Sequence, residues 1–304
     1  MLNEKINNYL AYLIIFLGFS YSCFIGFKYL EKYDVYKNIN GNIENTYFFE
    51  KEGGTPTFWE EASKIKEEIK NKSFFSTGNK YEFKYLPSRL IYFYYELVGD
   101  EIKTIDKNSN QKIFKKNNNK FGLIFIQNLL YSFSLIFLFY SFKKYFFNYK
   151  YFFFLSTLFF LSFEPTLNQW NRVLYSETIF FCLQLLTISL LISYNDKSSY
   201  KKTILIGIVL SLMYLQRTVS IYYLAIVIMY FYIFFRRKFN LNIAIILLIY
   251  LCTHLFIGYN NLKRDGKFYF YPIIAKEDMY GYFIPKILKY HQDDDFVNNF
   301  ETRH

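Results

Sequence analysis

Seven apolar runs, at about 8–29, 121–142, 151–164, 177–194, 203–218, 220–235 and 240–258, constrain this chain more than any other feature. An α-helix rises 1.5 Å per residue, so crossing roughly 30 Å of hydrocarbon takes about 20 apolar residues. The first two runs and the last meet or approach that length. The four between them are shorter, as expected of helices that end in a protein-lined or wet recess. Gln216-Arg217 interrupts the otherwise continuous stretch 203–235, which places a break there. The expected fold is all-α, a multi-span transmembrane helical bundle of about seven spans.

Composition supports that reading and excludes others. The 304 residues include 38 Phe and 32 Tyr, more aromatic surface than a water-soluble domain of this size can hide. Mean hydropathy is still only +0.05, because the apolar blocks alternate with Lys/Asn-rich loops. The net charge of +11 raises the question of nucleic acid, but the basic residues form no single stripe and sit in short loops. Topology explains them better, and no nucleic-acid partner is expected. Cys23, Cys182 and Cys252 each lie in an apolar run without paired spacing, so neither a disulfide framework nor a metal site is implied. The first run has no small-residue cleavage site and reads as a retained anchor.

Loop charge sets the expected orientation. Lys143, Lys144 and Lys150 occupy one short loop, Lys197, Lys201 and Lys202 a second, and Arg236, Arg237 and Lys238 a third. The short loops on the opposite side carry one basic residue each, Arg172 and Arg217. By the positive-inside rule the chain is a multi-pass inner-membrane protein with a cytoplasmic N-terminus. The large loop 30–120 and the tail then lie outside. Residues 1–258 read as one transmembrane module with that loop inserted. Residues 259–304 read as a polar outer tail, with two readings open: the end of a minimal module, or the start of a further C-terminal part.

The outer loop is not patterned like a linker. Thr57 with Glu60 three residues later resembles a capping box, and Phe58, Ala62, Ile65 and Ile69 recur at helical spacing. A second segment, Leu86 to Gly99, starts beside a proline and stops at a glycine; it is too short and too decorated to span. Both are expected to be interfacial helices.

Candidate chemistry lies on the outer face. The stretch Asn168 to Phe180 is a polar turn that runs through Ser176-Glu177 into an apolar helix, placing Arg172, Glu164 and Glu177 at the membrane edge. Asp34, Glu52, Glu60 and Glu61 are acids of the first outer loop that can serve as general base toward a hydroxyl. Against this, Glu60 and Glu61 in a first helical turn more commonly cap and face water. Arg217 and Arg172 sit at outer ends of short spans, where a guanidinium suits a bidentate grip on phosphate. The plainer alternative is an interfacial arginine reaching for headgroups. Glu177 is expected to be structural, capping its helix or pairing with Arg172. The histidines, His254, His291 and His304, are scattered and read as structural. No cofactor is required by the sequence, and a divalent cation is left open; Asp293, Asp294 and Asp295 form an acidic run of the kind that is usually just solvated.

Four segments together resemble the C-type glycosyltransferase superfamily, closest to its protein mannosyltransferase-like and lipopolysaccharide-core branches. They are Phe58-Trp-Glu-Glu-Ala62 followed by Tyr85 to Tyr92, Gln127 to Leu130 running on to Lys143-Lys144, Pro165 to Phe180 with Ser176-Glu177, and Gly207 to Arg217. The resemblance implies transmembrane helices with two interfacial helices in the first outer loop. It also implies a polyprenyl-phosphate-linked sugar as donor and a glycan, lipid or protein of the cell envelope as acceptor, joined with inversion. Arg217 with Arg172 would then hold the leaving phosphate. The family's acid usually precedes the aromatic helix, where this chain reads Gly53-Gly-Thr-Pro-Thr57, so the base stays open among Asp34, Glu52, Glu60 and Glu61. Two rivals remain: a transporter or flippase for a lipid-linked sugar, and an inactive fragment or scaffold of the same fold. No internal repeat favours the transporter.

Overall fold

The computed structural model describes residues 2–33, 38–39, 42–43, 85–99, 120–145, 149–164, 176–196, 198–235, 239–266 and 268. In hydrocarbon a backbone N–H or C=O finds no water, so each apolar run must satisfy its own backbone as a helix. Every run does so. Helix α1 spans Leu2–Tyr33, α2 Tyr85–Val98, α3 Lys120–Phe142 and α4 Tyr149–Phe163. Helix α5 spans Ser176–Asp196, α6 Tyr200–Gln216, α7 Ile221–Phe234 and α8 Phe239–Asp265. The all-helical expectation holds apart from one antiparallel pair of two-residue strands, β1 (Asn38–Ile39) and β2 (Asn42–Ile43).

Four helices contain stretches long and apolar enough to cross a membrane: Ile6–Lys28 of α1, Phe121–Phe142 of α3, Glu177–Asn195 of α5 and Asn240–Tyr259 of α8. The run at 177–194, expected to be short, is therefore long enough to span: the apolar stretch of α5 is Glu177–Asn195. Helices α4 and α7 are short and apolar, and α6 has 17 residues. The last helix also extends past the expected limit at 258 to Asp265, where Gly266 takes φ +69° and its N–H bonds the Leu262 carbonyl at 2.9 Å. A glycine in this left-handed region is a common helix stop.

Helix α3 packs against α1 and α5, α5 against α6, and α6 against α8. Helix α4 rests on α1, α7 on α8 and α6, and α2 on α6. Two cores result, with α5 shared between them. One joins Ala11, Ile15, Leu135, Phe139, Phe154 and Leu158; the other joins Leu190, Ile206, Leu210, Met213, Phe231 and Ile246. At Gly207 the α6–α8 crossing is so close that a Cβ would stand 2.9 Å from Ile249 Cδ1. Small residues permit such approach where no hydrophobic force distinguishes helix from lipid.

Polar side chains tie the helices where water is excluded. Fully buried Asn242 of α8 accepts from Thr203 Oγ1 of α6 at 2.9 Å and donates to the Tyr194 hydroxyl of α5 at 2.8 Å. Replacing Asn242 by Leu removes both bonds at once. It should lower stability by about 1–2 kcal/mol, read as an earlier thermal unfolding midpoint of the protein in detergent.

The break foreseen at Gln216-Arg217 is present. Helix α6 ends at Gln216, Arg217 turns extended (φ −151°, ψ 125°), and a single 3-10 turn, Thr218–Ser220, leads into α7. Helix α2 matches the expected element with one amendment. It does not simply lie on a membrane: Ser88, Arg89, Ile91, Tyr92 and Tyr95 are buried, and Tyr94 packs on Gly122 at the start of α3. Gly99, with φ +71°, ends it. The other expected interfacial helix, around Thr57–Ile69, lies outside the described residues.

Candidate functional site

Helices α5 and α6 are joined by a short connection at 197–199, so the start of α5 and the end of α6 meet at one end of the bundle. Ser199 shapes that connection by capping α6, its side chain accepting the Lys202 N–H at 3.4 Å. At the far end, Glu177 in the first turn of α5 meets Arg217, the residue that closes α6. Arg217 Nη1 lies 3.1 Å from Glu177 Oε1. Both charges suit their positions, since a carboxylate is favoured at a helix N-terminus and a cation at a C-terminus.

The guanidinium is held from a second side. Its Cζ lies 5.9 Å from the centroid of the Phe180 ring, one turn along α5 from Glu177. Phe180 in turn meets Tyr223 of α7 edge-on at 5.9 Å, and the Tyr223 hydroxyl accepts a hydrogen bond from Gln184. Behind Glu177, fully buried Thr178 accepts from Gln127 Nε2 of α3 at 3.0 Å. Three helices thus fix the first turn of α5. The Arg217 side chain remains 36% exposed against 14% for Glu177, so the cation, with five donors, keeps a face toward solvent while its partner is largely covered.

The structure therefore brings together two of the candidates. Glu177 is an ion-pair partner of Arg217. Arg172 lies outside the described residues, as do Asp34, Glu52, Glu60 and Glu61. Ser176-Glu177 does open an apolar helix. Gly207 and Ser211 are buried on α6, the helix that Arg217 closes. Among the described residues, no three His, Cys, Asp or Glu side chains gather as metal ligands.

Two features escaped sequence reading. Arg89 of α2 is 8% exposed, on a helix that packs against α6. The His254 ring of α8 lies tilted 4.4 Å from buried Tyr214 of α6 and edge-on 4.9 Å from buried Tyr250. The i, i+4 spacing of Tyr250 and His254 marks them as neighbours on one helix face; nothing local to the sequence pairs them with Tyr214.

Four helices long and apolar enough to cross a membrane, with a paired arginine and carboxylate at one end of the bundle, fit an integral-membrane protein. Residues 110–259, just under half of the chain, match the family model described as dolichyl-phosphate-mannose-protein mannosyltransferase, a family of the C-type glycosyltransferases. The match supports a membrane glycosyltransferase of that type, a class that uses a lipid-linked sugar donor. It takes in α3 to α7 and most of α8, with Arg172, Glu177 and Arg217, and leaves out Asp34, Glu52, Glu60 and Glu61. Comparison with curated proteins and with solved structures gives no match.

Proposed function

We propose that this chain transfers a sugar from a polyprenyl-phosphate donor to an acceptor of the cell envelope, on the outer face of the inner membrane and with inversion. The observation that carries the reading is the Arg217–Glu177 pair. Glu177 fixes the guanidinium through one nitrogen, and the exposed remainder of the fork is free to take phosphate oxygens side by side.

In the transfer step an acceptor hydroxyl attacks the anomeric carbon from the face opposite the phosphate. The bond from that carbon to the phosphate oxygen breaks, and its electron pair leaves with the polyprenyl phosphate. A preorganised cation is most useful where such charge develops. Arg217 fills that role, with Arg172 as the second cation that the sequence offers for it. An acid of the first outer loop (Asp34, Glu52, Glu60 or Glu61) takes the hydroxyl proton. The lysine-rich loops on the opposite end put this site outside by the positive-inside rule.

The test is transfer of radiolabelled sugar from a mixed pool of polyprenyl-phosphate sugars to total envelope acceptors, by purified protein in lipid. Asp34→Asn, Glu52→Gln, Glu60→Gln and Glu61→Gln run alongside. One of these variants should lose about 10²–10⁴-fold in rate, the usual contribution of a general base, while the other three stay near wild type. Folded wild-type protein that moves no label, or four acid variants with normal turnover, would count against the proposal.

A further inference from the structure

Away from Arg217, a cavity of about 490 Å³ opens along the side of the bundle between α3 and α5. Its walls are apolar: Leu130, Phe133 and Phe137 from α3, with Ile179 and Leu186 from α5. At 1.5 Å per residue the α3 wall, Leu130 to Tyr140, is about 15 Å long, half of the roughly 30 Å hydrocarbon core. That is the depth of one leaflet. The groove therefore matches a lipid chain entering from one side, and its ends tell which side.

The wall ends at Tyr140, and there the chemistry changes. The Lys143 ammonium is drawn back over the Tyr140 ring, 4.9 Å from its centroid. The Tyr140 hydroxyl accepts from Tyr12 of α1 at 2.6 Å, which leaves its own proton to donate. A cation and a hydroxyl donor thus stand together at the mouth of an apolar slot, at the lysine-rich end of the bundle, opposite Arg217. The upper end near Leu130 and Ile179 offers no such pair from the lining residues. An occupant with an acyl chain and a negative headgroup satisfies both parts.

We infer that the α3–α5 groove is a site for one anionic phospholipid of the leaflet at the lysine-rich end, its acyl chain along Phe133 and Phe137 and its phosphate on Lys143 and Tyr140. This is a lipid of the bilayer and not the sugar donor, whose phosphate belongs at the other end of the protein. Occupancy would seal α3 to α5 and so support the first turn of α5, which α3 already grips through Gln127 and Thr178.

Native mass spectrometry of the full chain, with phosphatidylglycerol or phosphatidylcholine added to the detergent-solubilised protein, tests the assignment. One phosphatidylglycerol per chain should be retained in preference to phosphatidylcholine. Lys143→Gln should cut that preference about fivefold, the worth of one lysine at an anionic surface. Leu186→Trp, which fills the slot, should reduce retention of both lipids. Equal retention of the two lipids, or a preference unchanged in Lys143→Gln, overturns the inference. So does displacement of phosphatidylglycerol by equimolar polyprenyl phosphate, which would give the groove to the donor. Lys143→Gln decides the matter even if Leu186→Trp does not fold.

Discussion

Arg217→Ala should lose sugar transfer by about 10²–10³-fold, the cost of deleting one preorganised donor to a developing anion, while the protein still folds. The two expectations separate because the pair is only partly buried. A partly exposed ion pair contributes about 1 kcal/mol or less to stability, so the unfolding midpoint should move little. Most of the damage then falls on the step in which phosphate leaves. Arg217→Lys should recover only part of the loss: a lysine supplies charge but not the planar fork that binds Glu177 and phosphate together. Rates from single turnovers, with circular dichroism melts on the same samples, check both parts.

The largest structural effect is expected at Gly18. A Cβ there would stand 2.6 Å from Ser162 Cβ and 2.8 Å from the Ser162 carbonyl oxygen, so the obstacle includes backbone and cannot rotate away. Even Gly18→Ala must push α1 from α4, and Gly18→Leu must part them. Overpacking of this kind costs about 1–3 kcal/mol, and Leu should reach or exceed the upper figure. Gly122 offers a contrast. Its close neighbour is the end of the Tyr94 side chain, so Gly122→Ala is expected to unseat only α2. Yield and melting temperature in detergent should fall for Gly18→Leu and hold much better for Gly122→Ala.

The positions of the helices were largely legible in the sequence because membrane helices are set by apolar length, a local property. The same holds for the break at Gln216-Arg217 and for the opening of α5 at Ser176-Glu177, where polar residues interrupt or cap apolar runs. The extent of α5 was legible to within a residue or two, and what the run 177–194 did not reveal is that Tyr194 at its end is bonded to Asn242 and packed on Phe231. The pairing of Glu177 with Arg217 was not legible at all. Arg172 is close in sequence, whereas Arg217 reaches Glu177 only because α5 and α6 run antiparallel through the Ser199 cap. Arg89 and the Tyr214–His254 contact were missed for the same reason, being products of how α2 and α8 dock on α6.

The Arg217–Glu177 pair has two meanings, a brace between helices or a phosphate grip, and exchanging the charges separates them. The measurement is transfer of labelled sugar from a polyprenyl-phosphate donor by wild type and by the double variant Glu177→Arg with Arg217→Glu, both purified in lipid. The exchanged pair keeps the brace but moves the cation onto α5 and sets a carboxylate where the phosphate should bind. Wild-type transfer, with a folded but inactive double variant, is the result expected here. A double variant as active as wild type would contradict the assignment of Arg217 to the leaving phosphate.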